Sequence, residues 1–599
     1  MKPEPIQQQG KAVVYQVFTR LFGNQNDTNK PWGTSKENGV GKFADFDDRA
    51  LEALKSYGVS HLWYTGVLHH AMLTHYPGIT DDHPSVVKGL AGSPYAIKDY
   101  YNVNPDLATD PSNRLAEFEA LIVRTHAHDM KVIIDIVPNH LARAYRSTSA
   151  PAGMRDFGAD DNAAVEYRRD NNFYYVPGQD FCPPDNPDQG QLLARALGAT
   201  ARNAYRESPA KWTGDGARQA KPHWNDWFET VKVNYGIRPD GSYDFPHLPE
   251  QYRDLPVADH VEFWADKSVP DSWVKFRAIA FYWLDKGVDG FRYDMAEMVP
   301  VEFWSYLNSA LKARRPDVTL VAEVYQPDRY RDYIQRGKID YLYDKVDLYD
   351  CLKNIVRGME TTQRLDLLQH QLNDIDGHLL RFLENHDEQR IASPEFAGSA
   401  EKGWPAMVVT TLLGRGPTML YFGQAQGEPA AADLGFGRAS RTTIFDYAGV
   451  PAHQAWLNGG RCDGGALNEA QRQLDRAYHR LLNFSACAAS LQGDFIPLHG
   501  ANLGQSTGYD ELCYSFARCS GNDWILVFVN FNANPRQCVL TVPQAVCALL
   551  PRMAPGQTLA EQLNAEGVQH RLTKNDLGDL QLLIDCPRYS AQAFQLLGQ

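Results

Sequence analysis

The sequence predicts an α/β fold: a (β/α)8 TIM barrel with a domain inserted after its third strand and an all-β sandwich domain at its C-terminal end. Three observations predict it. Short β-branched or aromatic segments alternate eight times with longer segments of helical period. A stretch rich in Asp, Asn, Pro and Gly interrupts this alternation after the third strand. After about residue 490 only short strands follow.

The strands of the predicted barrel are short and apolar. The third, KVIIDIV, is almost wholly apolar, as expected of a parallel strand that is covered on both faces. The eight predicted strands are 13–18, 61–65, 131–137, 288–294, 319–324, 341–343, 380–384 and 418–422.

Helical signals follow most of these strands. Asp110 and Pro111 form an N-cap followed by proline at the first helical position, and Phe118 and Leu121 lie on the apolar stripe that comes next. The alternative, an open doubly wound sheet, would need a glycine-rich phosphate turn after the first strand, and FTRLF is not one. The other predicted helices are 46–57, 271–286, 301–314, 330–335, 404–413 and 469–484, with two more between 351 and 375.

The domain organisation follows from these elements. A length of 599 residues suits three or four domains at roughly 150 residues each. We predict a catalytic barrel in two parts, residues 1–140 and 251–490, with an inserted domain B at 141–250 and a β-sandwich domain at 491–599.

Composition limits the classes of partner. The net charge of −14 disfavours nucleic acid and anionic membrane surfaces and suits a neutral ligand. No apolar segment approaches the ~20 residues of a membrane span. No signal peptide is visible, so we expect a cytoplasmic protein, although a processed secreted or periplasmic form would look the same. The sequence does not predict the oligomeric state.

The nine cysteines show no CxxC motif and no zinc-ligand spacing. We therefore expect most of them to be small buried residues in a reducing compartment. One or two disulfides remain open among the five that lie after residue 510, which are Cys513, Cys519, Cys538, Cys547 and Cys586.

Acidic and basic side chains collect at the predicted strand ends. In a (β/α)8 barrel the catalytic residues lie at the C-terminal ends of strands, so these side chains should meet at one mouth. They are Asp294, Glu323, Asp387, Arg292, His140 and His386.

This set suits the hydrolysis of a glycoside with retention, which needs one carboxylate as nucleophile and a second carboxyl as general acid and then base. Arg292 precedes Asp294 by two residues, so both side chains leave the strand on one face and the guanidinium favours the ionised carboxylate. Glu323 lies between Ala322 and Val324, an apolar setting that favours the protonated acid.

Four segments resemble the conserved regions of glycoside hydrolase family 13, the α-amylase family. They are DIVPNH (135–140), GFRYD (290–294), VAEV (321–324) and ENHD (384–387). The resemblance implies that Asp294 is the nucleophile, Glu323 the acid/base and Asp387 the transition-state stabiliser. It also implies that the substrate is contacted by Arg292, His140, His386 and Tyr95, the last by stacking on the sugar in subsite −1. Tyr325 is predicted to be a platform for the sugar in subsite +1 or +2.

Some positions depart from the family pattern. Glu297 lies where many members have a Lys-His pair, so it faces either an acceptor sugar or solvent. Lys232 falls where many members have an aspartate that binds calcium, which puts the usual calcium site beside Asn139 in doubt. The loop after the first strand resembles another calcium site of some members, and oxygen ligands suit that ion. Its candidate metal ligands are Asn24, Asn26, Asp27 and Asn29, although an ordinary Asn-rich turn explains them equally well.

The resemblance implies a retaining hydrolase of α-1,4-glucans or maltooligosaccharides. A transglycosylase (4-α-glucanotransferase) of the same fold is the first alternative, because both reactions share the covalent intermediate. An α-glucosidase is disfavoured by Gly92, since such members often carry an acid at this position. A non-catalytic sugar-binding homologue is disfavoured by the intact acidic residues.

Overall fold

The computed structural model describes residues 10–185, 204–564 and 568–596. Its centre is the predicted barrel, an eight-stranded parallel sheet in the order β7-β6-β5-β4-β3-β2-β1-β8. A parallel bridge between Arg381 and Thr418 joins the two edges and closes the ring. The strands are β1 Val13–Phe18, β2 His61–Thr65, β3 Lys131–Ile136, β4 Gly290–Tyr293, β5 Thr319–Ala322, β6 Tyr341–Tyr343, β7 Leu379–Leu380 and β8 Thr418–Tyr421.

The main barrel helices surround this sheet and bury their apolar stripes against it. Two of them, Val301–Arg314 and Tyr330–Gln335, have the predicted bounds, as do three strands, β1, β2 and β6. The other main helices are Asp48–Ser56, Arg114–Ala127, Asp271–Asp285, Asp350–Val356, Arg364–Gln371, Ala400–Leu412 and Glu469–Cys487.

The seventh strand ends earlier than predicted. It spans Leu379–Leu380 rather than 380–384. The chain turns inward because the Asn385 side chain accepts hydrogen bonds from the backbone N–H groups of Asp387 and Glu388, both at 2.9 Å. The apolar residues that favoured a longer strand, Phe382 and Leu383, are buried in the core without continuing the ladder.

The prediction also missed several elements. A hairpin of Leu68–His70 and Ile97–Val103 stands outside the barrel after β2, and Pro451–Leu457 forms a helix within the long loop after β8. The helix Val257–Ala265 comes before the first helix predicted after the insert. Its buried face is partly polar, because His260 and Trp264 both hydrogen-bond the Ser305 hydroxyl, so its apolar period is weak.

The inserted domain contains two short antiparallel pairs in its described residues. His140–Ala142 pairs with Thr230–Lys232, and Tyr175–Val176 pairs with Ala210–Lys211. The first pair continues from the end of β3 and holds the domain against the barrel mouth. Residues 186–203 of the predicted domain B lie outside the described residues, as do 1–9, 565–567 and 597–599 of the predicted terminal domains.

The C-terminal domain is a sandwich of two antiparallel sheets, as predicted. A six-stranded and a three-stranded sheet enclose an apolar core that includes Phe528, Leu540, Leu582 and Phe594. The nine cysteines, all in described residues, are free thiols, and three in this domain are buried. The strands are Asp494–Pro497, Cys513–Ser520, Asp523–Asn530, Arg536–Val542, Thr558–Glu561, Gln569–Arg571, Thr573–Lys574, Leu580–Cys586 and Ser590–Leu596.

Within 10–185, 204–564 and 568–596, every helix is too short or too polar to cross a bilayer.

Candidate active site

Arg292 on β4 lies at the centre of the candidate site. Its side chain is fully buried, and it donates to Asp294 Oδ1 at 2.8 Å and to Glu323 Oε2 at 2.9 Å. A weaker contact of 3.4 Å joins it to Asp135 Oδ1 on β3. One guanidinium therefore holds the two carboxyl groups that follow the ends of neighbouring strands, as strand adjacency predicts.

Glu323 is held on both of its oxygens. Oε2 also accepts a hydrogen bond of 2.9 Å from the Met295 backbone N–H, and Oε1 accepts one from the Tyr325 hydroxyl. Met295 has φ +46°, in the left-handed region that non-glycine residues rarely adopt. This backbone conformation turns its N–H towards Glu323 and so helps to fix the carboxyl group.

Asp387 lines the same cavity and lies beside His386. Gln16 Nε2 donates to His386 Nδ1 at 2.8 Å, so the ring proton is on Nε2, which lies 3.0 Å from Asp387 Oδ2. The Tyr95 hydroxyl bonds the same nitrogen, and the Tyr95 ring stacks on the imidazole at 5.2 Å. Burial and Arg292 lower the pKa of His386 well below its usual value, so the ring is neutral.

The electrostatics differ in one respect from the sequence-based expectation. Burial raises the pKa of Asp294 well above its usual range, and although Arg292 opposes this, Glu323 and Asp387 add to the rise. Burial and Glu323 likewise raise the pKa of Asp387 to about 7. Asp294 and Asp387 are therefore both harder to ionise than free carboxyl groups. The expectation considered only the effect of Arg292 on the pKa of Asp294, and the effect of burial is larger.

The raised pKa of Asp387 predicts a pH-dependent effect of Asp387→Asn on stability. A raised carboxyl pKa means that the folded state holds its proton more tightly than the unfolded state, so wild-type stability falls as pH rises from about 4 to about 7. The variant lacks this loss. We expect it to be more stable than wild type at pH 8 by roughly 1 kcal/mol, a figure reduced for the exposure of this side chain to solvent.

Urea denaturation of both proteins at pH 4.5 and pH 8 measures this effect. The gain should be small at pH 4.5 and larger at pH 8. An equal difference in stability at the two pH values would show that folding does not raise the pKa of Asp387.

A cavity of about 230 Å³ opens directly on these carboxyl groups. It is lined by six predicted site residues, Tyr95, His140, Asp294, Glu323, Tyr325 and Asp387. The His140 ring contacts Asn139 Nδ2 at 3.1 Å, and burial, with the nearby cations Lys232 and Lys88, lowers its pKa to about 3. A neutral His140 therefore forms part of the wall.

Sequence reasoning missed other lining residues. Trp227 comes from the inserted domain and packs edge-on against His140 at 5.1 Å, and Phe445 comes from the loop after β8. Lys88 and Glu229 also line the cavity and form an ion pair of 3.0 Å. Neither strand position nor period marks these residues, because they reach the mouth from loops.

The cavity continues into a second one of about 440 Å³. The two share Asp387, Ile444 and Phe445, and Phe436 and Arg441 line the second. The carboxyl groups therefore lie along a groove and not at the bottom of a closed pit.

Three predicted substrate contacts lie outside the lining of the 230 Å³ cavity. Arg292 lies beneath it with a fully buried side chain and acts on the carboxyl groups, whereas His386, whose side chain is also buried, borders the second cavity. Glu297 neither lines the cavity nor faces only solvent: its carboxylate accepts a hydrogen bond of 2.8 Å from the Tyr325 backbone N–H. Glu297 therefore positions the segment that carries Tyr325.

The loop proposed for calcium is held by its own amide groups. Asn24 Oδ1 accepts from the Asn26 N–H, Asn26 Oδ1 from the Thr28 N–H, and Asn29 Oδ1 from the Gly449 N–H. Asp27 is exposed. These side-chain oxygens serve the backbone and do not converge, so the residues do not fit a calcium ion as they stand.

The usual calcium position beside Asn139 is filled by a cation of the chain itself. The Lys232 ammonium donates to Asn139 Oδ1, and burial lowers the pKa of Lys232 to about 8. Calcium binding remains a prediction of the sequence resemblance alone.

Chelation tests this prediction directly. Because these oxygens are already bonded, we expect EDTA to leave both the melting temperature and the rate of sugar release unchanged. A lower melting temperature that added calcium restores would show that a metal site exists and that the loop rearranges to form it.

Comparison with known proteins places this geometry in a family. The sequence model described as "Alpha amylase, catalytic domain" matches residues 16–187 and 259–446. "Alpha-amylase 3" of Dictyoglomus thermophilum is 22% identical over 428 residues, which cover 69% of this chain and 64% of that protein. "Cyclomaltodextrin glucanotransferase" of Niallia circulans is 21% identical over 436 residues, covering 69% and 49%. The chain thus covers less than two thirds of these relatives.

Solved structures show the same fold. The α-amylase of Geobacillus thermoleovorans, determined as a complex with acarbose, superimposes with a TM-score of 0.59 at 18% identity over 100% of both chains. The family match extends over more than half of the sequence and contains Asp294, Glu323 and Asp387. The chain belongs to the α-amylase family, glycoside hydrolase family 13.

Proposed function

We propose that the protein hydrolyses α-1,4-glucans or maltooligosaccharides with retention of configuration, through a covalent glycosyl-enzyme intermediate. The observation that carries the proposal is the single Arg292 guanidinium bonded to both Asp294 and Glu323 beneath an open groove. A retaining glycosidase needs two carboxyl groups that lie close together in different protonation states. The shared guanidinium keeps them close, and we assign Asp294 as the nucleophile and Glu323 as the proton donor.

The proposed reaction has two steps. Asp294 attacks the anomeric carbon while Glu323 donates its proton to the leaving oxygen, which forms the glycosyl-enzyme ester and releases the shortened chain. Glu323, now ionised, takes a proton from water, whose oxygen attacks the same carbon and frees Asp294. Asp387 binds sugar hydroxyl groups, and these bonds strengthen as the transition state develops.

Before the leaving oxygen can be protonated by Glu323, it must displace the Tyr325 hydroxyl from that carboxyl group. Tyr325 donates to Glu323 Oε1, while the other oxygen is held by Arg292 and Met295. Oε1 is thus the oxygen left to protonate the glycosidic bond. Tyr325, predicted as a sugar platform, turns from this bond when a chain enters the groove.

The continuous groove favours attack within a chain. Glucosyl units can extend past Asp387 into the second cavity, where Phe436 and Phe445 offer aromatic surfaces. Transfer to a sugar acceptor is the second candidate, supported by the match to the glucanotransferase of Niallia circulans. Both reactions pass through the same intermediate and differ in whether water or a sugar accepts the glycosyl unit.

A time course of products from starch and from maltotriose separates these outcomes. We expect a ladder of short maltooligosaccharides from starch and only shorter sugars from maltotriose. Products longer than maltotriose would establish transfer. Failure to act on either substrate would refute the proposed specificity.

A further inference from the structure

An ion pair lies in the wall of the cavity that holds the carboxyl groups. Lys88 comes from the loop between the two hairpin strands, and Glu229 comes from the inserted domain. Both line the cavity of about 230 Å³, and Lys88 Nζ lies 3.0 Å from Glu229 Oε2. Because the two charges cancel, the pair adds polar groups to this wall without adding net charge.

The pair keeps hydrogen-bonding groups open to a ligand. In the part of the chain that the structure describes, the Lys88 ammonium has three N–H donors and no hydrogen-bond partner, and it is not closed off from solvent. Glu229 Oε2 is enclosed beside Lys88, whereas Oε1 is neither enclosed nor hydrogen-bonded within the described residues. The Lys88 side chain is 15% exposed. The wall therefore offers one charged donor and one charged acceptor.

The Lys88 side chain is held close to the groove before any ligand binds. Gly89 has φ +67°, and a Cβ there would lie 2.2 Å from the Phe445 carbonyl oxygen, so the loop packs directly on the segment after β8. The ammonium lies 5.3 Å from the centre of the Phe228 ring, a cation–π contact. These contacts restrict the side chain in advance, which lowers the entropic cost of binding through it.

We propose that Lys88 and Glu229 determine substrate specificity by binding hydroxyl groups of the glycosyl unit that is transferred. The ammonium donates to one hydroxyl oxygen, and Glu229 Oε1 accepts from a hydroxyl group, since bonds to charged groups are among the stronger hydrogen bonds. Tyr95 follows Lys88 in the same loop and lines the same cavity, whereas the leaving oxygen is expected at Tyr325, on Glu323. The inference rests on the proposed function, which supplies the sugar.

The double variant Lys88→Met/Glu229→Leu tests this assignment. It removes both charges together, and apolar residues of similar size in place of a buried ion pair usually preserve the fold. We expect the wild-type melting temperature, a KM for an aryl α-maltoside that is raised by about tenfold or more, and a kcat within about threefold of wild type. An unchanged KM would overturn the proposal.

Substrates that lack one hydroxyl group distinguish direct contact from a structural role of the pair. Aryl α-maltosides without the 3- or the 6-hydroxyl of the sugar next to the aryl group remove the partner on the substrate side. In the wild type, at least one analogue should lose about tenfold in kcat/KM, and this loss should disappear in the double variant, as in a double-mutant cycle. If each analogue loses equally in both proteins, the pair does not bind these hydroxyl groups and the inference is wrong.

Lys131→Met/Asp317→Leu is the matched control. This Lys–Asp pair of 3.2 Å lies outside the lining of both groove cavities, so its removal should leave KM at the wild-type value.

Calorimetric titration with maltose separates failure of this inference from failure of the proposed function. The titration uses Glu323→Gln, which prevents turnover. If the wild type does not hydrolyse glucans, the proposed function fails. The role of the pair still holds if adding Lys88→Met/Glu229→Leu to Glu323→Gln weakens maltose binding by about tenfold. An unchanged affinity, or no binding of maltose to Glu323→Gln, would overturn it.

Discussion

Asp294→Asn should lower kcat for an aryl α-maltoside by more than about 10⁴-fold, as expected when a hydrolase loses its nucleophile. The amide is nearly isosteric with the carboxylate but cannot form the glycosyl ester. Because burial and two neighbouring carboxyl groups raise the pKa of Asp294, its removal relieves charge crowding in the folded state. We therefore expect the melting temperature to equal or exceed that of wild type.

Asp285→Asn is the matched control for this variant. Asp285 forms a surface ion pair with Arg314 outside the site, and its replacement should leave kcat unchanged. Activity of Asp294→Asn within tenfold of wild type would remove Asp294 from the nucleophile role. A loss of activity accompanied by a lower melting temperature would point instead to a structural role.

Glu323→Gln should lower kcat/KM for maltooligosaccharides by about 10²–10⁴-fold, the usual contribution of a general acid. The loss should depend on the leaving group. An α-glycosyl fluoride needs little protonation to depart, so its first step should be far less impaired than that of a sugar leaving group. This difference distinguishes loss of proton donation from loss of binding.

Glu401→Gln serves as the control for this second variant, because Glu401 pairs with Arg588 on the surface. It should retain wild-type rates on both substrates. Equal losses of Glu323→Gln on the fluoride and on the maltooligosaccharide would contradict the acid/base assignment, since a positioning role would impair both alike.

The barrel could be predicted because its signals are local. Each strand is a short apolar run, and the Asp110-Pro111 start and the apolar stripe after it are properties of neighbouring residues. The hairpin of Leu68–His70 and Ile97–Val103 was missed because its partners are separated by a long loop. The helix Val257–Ala265 was missed because its buried side chains are stabilised by Ser305, about 40 residues away.

The candidate site, too, was predictable where its residues are marked by local sequence signals and unpredictable where they are not. Asp294 and Glu323 follow strand ends, and the barrel rule alone brings them together. Trp227 and Phe445 reach the groove from distant loops, so no spacing marks them. The pKa of Asp294 depends on burial among three strands and on one shared guanidinium, a sum that residue spacing cannot supply. The role of Glu297 likewise depends on where the Tyr325 backbone N–H lies.

The stereochemistry of the first product tests the central claim most directly. Proton NMR of an early hydrolysis mixture, recorded before mutarotation, shows the anomeric form that the enzyme releases. Double displacement through Asp294 predicts that an α-linked substrate first yields the α anomer. Initial release of the β anomer would mean direct attack by water and would contradict the assignment of Asp294 as nucleophile.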